Sequence, residues 1–347
     1  MDDKDGNLSK SISHIITEIH YIIEQAKKHA IRSVDFERVQ MYWKIGERIV
    51  TEEQANQNRA EYGKYIVENL AKTLSLKYGS GFSKRVIYQA IQFYKMYPIV
   101  NALRAQLNWL QYKLLSSISD VTKREYYELE AVKNNWTGRE LERQINAQLY
   151  ERLLISNDRE SVMEIAREER LPENAKEIIK DPMFLEFLGL EKKTVYREND
   201  LEAALIGHLE KFLLELGNGF TFVARQKRIT LEDDEFFIDL VFYNRLLKAH
   251  VVMEIKTHKL THEDLGQLQT YVNYYDRNEK LVDENPTIGV LLCTAKNDAL
   301  VQYALPEDNK TILASQYHLV LPSAEELLAQ ISEVEQEFQY KQEVNND

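Results

Sequence analysis

The chain has 347 residues, with 44 Lys and Arg against 56 Asp and Glu for a formal net charge of −12, and it is 44 % hydrophobic and 29 % charged. That balance belongs to a globular protein with enough length for two domains. Its single cysteine, Cys293, excludes an internal disulfide framework and a cysteine-rich zinc site. No apolar run approaches the roughly 20 residues that span a bilayer. The opening residues, MDDKDGNLSK, are acidic and polar with no signal-peptide core. A cytoplasmic protein without membrane contact is expected.

Charge is unevenly distributed. Residues 1–160 carry 24 basic and 21 acidic side chains, net +3, whereas residues 161–347 carry 20 and 35, net −15. Between Gly63 and Arg124 ten basic residues face only Glu68 and Asp120. A basic segment joined to an acidic one points to a polyanionic partner. A solvated helical surface with uneven charge has the same composition.

Residues 8–155 read as helices. Ile12, Ile15, Ile16, Ile19, Ile22 and Ile23 recur at three- and four-residue steps, the apolar stripe of an amphipathic helix. A second helix covers about 35–54, with Tyr42 and Trp43 near its middle. A third runs from about 60 to 78 and stops at Gly79-Ser80-Gly81. Ser83 offers an N-cap for a helix over 84–97, which Pro98 ends. Helices over 107–118 and 123–134 follow. Thr137 and Glu140 form a capping box that opens a long helix through Leu154. The pair 60–78 and 83–97, joined by a glycine turn, has the outline of a helix-turn-helix or winged-helix-like unit. Its second helix would present Lys84, Arg85, Tyr88, Gln89, Gln92 and Lys95, types that contact phosphates and base edges. A plain helical hairpin, with Tyr88 and Phe93 in its core, is the structural alternative.

Residues 157–198 are a polar, helix-prone connector punctuated by Pro172 and Pro182. A helix follows over 200–216, ended by Gly217-Asn218-Gly219. Strands are expected over 220–231, 236–243 and 250–257, the first two a hairpin around 232–235. A helix over 261–275 leads to a continuous apolar strand over 287–293, as a central buried strand should read. A helix over 297–303, a strand near 317–321, a helix over 323–338 and a polar tail over 339–347 complete the chain. The order makes the C-terminal half α/β.

Two polar signals interrupt the apolar strands. Asp239 sits within Phe237-Ile238-Asp239-Leu240-Val241, and Glu254 and Lys256 close Val251-Val252-Met253-Glu254-Ile255-Lys256. Residues i and i+2 of a strand share a face, so Glu254 and Lys256 project together while Met253 and Ile255 face away. Asp239 precedes Glu254 by enough chain for a turn and a neighbouring strand. Two carboxylates and a lysine can then meet at one point. That set suits phosphodiester hydrolysis. Asp239 and Glu254 supply hard oxygen ligands for Mg²⁺ or Mn²⁺, and the Ile255 carbonyl can add another. Lys256 can hold the attacking water or stabilise the developing oxyanion. A third carboxylate is expected from the preceding helix, Glu202 or Glu210, with Glu202 preferred because it lies nearer the helix start. An edge aspartate beside a surface Glu254–Lys256 pair is the bland alternative.

Other polar residues receive structural readings. His258 and His262 straddle a strand end and a helix cap, and read as polar surface rather than a zinc pair. Cys293 reads as a buried thiol, and Trp43, Trp109 and Trp136 as core anchors. Arg225, Gln226, Lys227 and Arg228 can steady a substrate phosphate or line a solvated face.

Asp239…Glu254-Ile255-Lys256 resembles the PD-(D/E)-x-K nuclease motif, and Gln267-Leu268-Gln269-Thr270-Tyr271 is similar to the Q-x-x-x-Y helix of some of its branches. The motif's proline is absent, since Ile238 precedes Asp239. The wider sequence resembles the YhcG family (DUF1016) along nearly its whole length. The matching stretches include Tyr42-Trp43-Lys44-Ile45-Gly46, Tyr62-Gly63, Gly79-Ser80-Gly81-Phe82-Ser83, Arg225-Gln226, Ile238-Asp239-Leu240-Val241-Phe242-Tyr243 and Asn285-Pro286-Thr287-Ile288-Gly289. The resemblance implies a restriction-endonuclease-like αβββαβ core over 199–338 behind a helical, DNA-binding domain over 1–156. It adds Gln267 and Tyr271 to the catalytic set. The expected activity is metal-dependent DNA hydrolysis in repair, recombination or defence against foreign DNA. A non-catalytic nucleic-acid-binding scaffold, a protein-interaction module and an RNA-directed nuclease are the alternatives. A homodimer is expected, since many duplex-cutting enzymes use two active sites and the long N-terminal helices could supply an interface.

Overall fold

The computed structural model describes residues 2–54, 59–99, 103–157, 159–190, 196–232, 234–296, 298–306 and 309–319. They form two compact units, Met1–Arg143 and Gln144–Asp347. The expected helix over 323–338 and the tail over 339–347 lie outside the described residues.

The first unit is helical: α1 (Asp2–Gln54), α2 (Arg59–Tyr78), α3 (Lys84–Met96), α4 (Trp109–Leu115), α5 (Val121–Lys133) and the start of α6 (Gly138–Asn146). The two N-terminal helices expected from the sequence are one. Neither Pro nor Gly interrupts residues 24–35, so nothing stops propagation between the two apolar stripes. The core joins Ile49 and Val50 of α1 to Val67 and Ala71 of α2 and to Ile87 and Ile91 of α3. Tyr42 stacks on Trp109 with ring centroids 4.2 Å apart, and the Trp43 indole N–H donates to the Tyr97 carbonyl at 2.6 Å. Phe93 is fully buried, whereas Tyr88 is 43 % exposed and stands outside the core. Gly79, at φ 88°, and a short 3₁₀ turn over Ser80–Phe82 connect α2 to α3. Among the described residues this unit holds no strand, so the wing of a winged-helix unit is not among them. The capping box forms as expected: Thr137 N–H donates to Glu140, and Glu140 N–H to Thr137 Oγ1.

The helix expected to run on to Leu154 breaks. Gln148 is left-handed at φ 51°, and α7 (Leu149–Ser156) starts afresh, followed by α8 (Arg159–Ala166). The connector then contributes a short strand, β1 (Met183–Phe184). The helix expected over 200–216 is two, α9 (Glu198–Gly207) and α10 (Leu209–Leu216), with the break at His208. Then come β2 (Phe220–Leu231), β3 (Asp234–Asn244), β4 (Ala249–Ile255), α11 (His262–Asn278), β5 (Ile288–Cys293), α12 (Asp298–Ala304) and β6 (Ile312–His318).

The sheet order is β1-β6-β5-β4-β3-β2. β2, β3 and β4 form an antiparallel meander, while β4, β5, β6 and β1 run parallel. The alternation read from the sequence builds both layers. Val251, Met253 and Ile255 pack with Leu201, Leu205, Phe212 and Leu216 of α9 and α10. Val252 packs on the opposite face, with Leu265, Leu268, Tyr271 and Val272 of α11. One buried ion pair locks α7 to α10. Arg152 donates to Glu215 at 2.7 Å, and the Phe184 N–H of β1 donates to the same carboxylate oxygen at 2.9 Å.

At Gly46 α1 comes close to α3, since a Cβ there would overlap the Ala90 carbonyl. Backbone cannot yield as a side chain can, so Gly46→Ala should destabilise the helical unit by about 1–3 kcal/mol. A lowered denaturation midpoint by circular dichroism tests this, and an unchanged midpoint would contradict it.

Candidate active site

The site forms where β3 and β4 part. Their pairing ends at Leu240↔Met253. Beyond it the two strands have backbone amides with no partner across the ladder, and buried amides need acceptors. The two acidic side chains supply them. Ile255 N–H donates to Asp239 Oδ2 at 2.9 Å, and Asp239 N–H donates to Glu254 Oε1 at 3.2 Å. Face alternation also lapses here: Ile238 packs with the α11 layer and Leu240 with the α9–α10 layer. Asp239 sits between them.

Lys256 extends β4 by one residue, its N–H donating to the Leu292 carbonyl at 2.7 Å. Its ammonium stands 3.3 Å from Glu254 Oε2 and 3.8 Å from Glu198 Oε2. Glu202 of α9 closes the other side. It is 2 % exposed and accepts from Arg225 Nε at 2.6 Å. The Gln226 amide bridges it to the pair, donating to Glu202 Oε2 at 2.7 Å and Asp239 Oδ1 at 3.0 Å.

Electrostatics follow from burial. Desolvation, then the charge of Asp239, push the Glu254 carboxyl from 4.5 up to about 8, against the pull of Lys256. Burial also raises Asp239, with Glu202 adding to the rise and the Ile255 amide and Lys256 opposing it. Burial by itself would lower Lys256, but the attraction of Glu254, Glu198 and Asp239 leaves it raised.

The structure gathers Asp239, Glu254, Lys256, Ile255 and Glu202. Glu210 is exposed on α10 and outside the cluster. Gln267 and Tyr271 lie on α11, where Gln267 Nε2 donates to the Tyr271 hydroxyl at 2.7 Å. Tyr271 is buried, and the charges of Glu254, Lys256 and Asp239 reach it. Arg225 is half-engaged, since its guanidinium pairs with Glu202 rather than standing free on a solvated face. In the helical unit, Arg85 and Lys95 are exposed, and Gln89 is half-buried. Lys84 pairs with Glu68 of α2 at 2.7 Å, and the Gln92 amide donates to the Ser116 carbonyl at 2.8 Å. Two residues join the site beyond those expected. Gln226 stood in the sequence only as one member of a polar run; its left-handed φ of 46° is not visible there. Glu198 fell at the end of the expected connector and enters the site because α9 begins there, two residues earlier than expected. His258 stands 3.7 Å from Glu198 and 3.8 Å from Asp264.

A mixed sheet flanked by helices, with an aspartate and an E-x-K triplet crossing at a strand fork, defines the PD-(D/E)xK nuclease class. Residues 176–332 match the family described as YhcG PDDEXK nuclease domain, and residues 18–152 match the DUF1016 N-terminal domain. The chain belongs to the YhcG (DUF1016) family. A relative from Escherichia coli (strain K12), described as "Putative nuclease YhcG", is 34 % identical over 360 residues, covering 92 % of this chain and 95 % of the relative. Two solved structures align over about half of their own length. The crystal structure of a repair endonuclease from Pyrococcus abyssi covers 37 % of this chain and 49 % of that one, at TM-score 0.25 and 16 % identity. An EndoMS complex with double-stranded DNA covers 39 % and 50 %, at TM-score 0.24 and 15 % identity. Where the motif has proline, Ile238 is fully buried in the α11 layer. No helix among the described residues is long and apolar enough to cross a membrane.

The raised Glu254 carboxyl has a consequence for stability. Between about pH 4.5 and 8 the folded chain in EDTA keeps a proton that the unfolded chain has released, so its stability falls as pH rises through that window. Glu254→Gln stays neutral. Its melting temperature should therefore gain on wild type up to about pH 8 and hold level above. A difference independent of pH, by thermal denaturation in EDTA, would contradict the shift.

Proposed function

We propose that the chain is a divalent-metal-dependent endonuclease that hydrolyses DNA phosphodiester bonds. The C-terminal unit would cut, and the helical unit would bind the nucleic acid. The observation that carries this reading is the contact of half-buried Asp239 with buried Glu254, with the Lys256 ammonium 3.3 Å from Glu254. Two carboxylates brought together out of water repel each other when both are ionised, and a cation between them would neutralise that repulsion.

The donor set fits a hard cation. Among the described residues no three His, Cys, Asp or Glu side chains are grouped to hold a metal by themselves. Two carboxylates, the Ile255 carbonyl, water and substrate phosphate oxygens are the habit of Mg²⁺, which dehydrates reluctantly and takes few protein ligands. Asp239, Glu254 and Ile255 would hold it, and Glu202 would act through Gln226. When bound, the cation lowers the pKa of water and polarises the phosphate. Lys256 supplies a fixed positive charge for the attacking water or the developing oxyanion. The paired Gln267 and Tyr271 support the α11 side of this set. Arg225 can take a phosphate only by loosening its pairing with Glu202. In the helical unit, Arg85 and Lys95 are exposed and outside the ion pairs of the described residues, and with Lys84 they form the candidate phosphate contacts on α3.

Cleavage of supercoiled, linear, single-stranded and branched DNA with Mg²⁺ or Mn²⁺ tests the reading. Wild type should cut, and Asp239→Ala and Lys256→Ala should each lose at least about 100-fold, with folding intact. Undiminished cutting by either variant would reject the site. Salt-sensitive binding without cutting on any DNA or RNA would favour the non-catalytic alternative.

Binding itself should weaken steeply with salt, as counterion release requires. Arg85→Ala and Lys95→Ala should each lower the log–log salt slope by about 1. Lys84→Ala should change it less, because Lys84 must first release Glu68. Fluorescence anisotropy at several salt concentrations measures these slopes, and identical slopes would remove α3 from the interface.

A further inference from the structure

Outside the acid pair, a second chain of charged groups ends on Lys256. Glu198 opens α9 and divides its carboxylate: Oε2 lies 3.8 Å from Lys256 Nζ, and Oε1 lies 3.7 Å from His258 Nε2. His258 is itself held. Its Nδ1 is 2.9 Å from the Lys259 carbonyl and 3.8 Å from Asp264 Oδ2. Asp264 is immobilised in the capping box of α11, where its Oδ2 accepts from Thr261 N–H at 2.9 Å and from Thr261 Oγ1 at 2.7 Å. The backbone is pinned too, since Lys259 bridges Ala295 and the Thr294 N–H donates to the His258 carbonyl at 3.3 Å. The N-termini of α9 and α11 are thus joined through the segment that carries the lysine.

We infer that Glu198 is the positioning residue for Lys256, the anchor that keeps its ammonium at the site once a cation has taken Glu254. The inference rests on the nuclease reading for its catalytic meaning and on the contacts above for its geometry. Lys256 has two carboxylates within reach, and they have different fates. Glu254 belongs to the pair that would hold the cation. A divalent charge there repels the ammonium and competes for the same oxygens. Glu198 stands outside that pair, with His258 Nε2 3.7 Å from its second oxygen. It can keep one anion beside Lys256 while the other is engaged. A flexible four-carbon side chain holding a single point charge needs such an anchor to stay aimed.

The test uses the full chain as wild type, Glu198→Gln, Glu198→Asp and Glu254→Gln, with ¹⁵N-labelled lysine and the Lys256 ammonium signal identified by its loss in Lys256→Arg. Calorimetric Mn²⁺ titration of Glu198→Gln should match wild type, whereas Glu254→Gln should lose affinity. With Mn²⁺ replaced by diamagnetic Mg²⁺, the exchange-protected Lys256 ammonium signal should be present in wild type, lost in Glu198→Gln and recovered in Glu198→Asp. In cleavage, Glu198→Gln should lower kcat by about 10- to 100-fold with KM unchanged. Three results would overturn the inference. One is Mn²⁺ affinity falling in Glu198→Gln as far as in Glu254→Gln, which would make Glu198 a ligand. The others are a Lys256 signal unchanged in Glu198→Gln and the absence of any protected signal in wild type. If no form of the chain cuts any substrate, the nuclease reading fails, while the ammonium signal still decides the anchor.

Discussion

The structure of the C-terminal unit turns on a gap in a ladder. Antiparallel pairing of β3 with β4 stops at Leu240↔Met253, and a buried strand end cannot leave its amides unsatisfied. Asp239 and Glu254 each accept the amide exposed on the opposite strand. The carboxylates are thereby crossed and held by main chain, not by side-chain packing that can relax. One oxygen of each is fixed on an amide. The second oxygen of Asp239 meets Gln226, and that of Glu254 meets Lys256. The fork that would be a defect in a plain sheet becomes the device that orients the acids.

Burial gives that device its chemistry. The hydrophobic layers on both faces raise both carboxyls, and Glu254 reaches about 8. The site therefore holds a proton on Glu254 up to about pH 8, which the pull of Lys256 only partly opposes. Such crowding favours the neutral form of one acid over two buried charges. The same buried surroundings strengthen the contact of Lys256 with Glu254, whose side chains are 11 % and 2 % exposed.

The two units carry opposite electrostatic characters. The acidic C-terminal half surrounds a site built from carboxylates, while the basic stretch Gly63–Arg124 lies in the helical unit. Within that helical unit Gly46 acts through packing, letting α3 approach α1 to backbone contact. Within the C-terminal unit, the Arg152–Glu215 ion pair gives α7, β1 and α10 a common anchor. Replacing one partner would leave the other charge buried and unpaired, which is why such pairs are costly to break.

Period and chemistry were legible along the chain. Alternation turned Met253 and Ile255 away from Glu254 and Lys256, and both pack in the α9–α10 layer. The strand over 220–231 and the apolar central strand were readable because neighbouring residues decide which face each side chain takes. Contacts between distant residues were not readable. The connector's Met183 and Phe184 become a strand only because Tyr317 and His318 lie beside them. Breaks at Gln148 and His208 interrupt helices whose local propensity continues. Gln226 and Glu198 enter the site because β2 and α9 arrive there in space, and Gln92 and Arg225 are drawn into internal bonds for the same reason. By itself the sequence determined the class of fold, the strand faces and the identity of the acid–acid–lysine set, all consequences of local periodicity and side-chain chemistry. Only the tertiary structure decided which groups hold that set in place, because orientation depends on backbone groups and partners that are far apart in the chain.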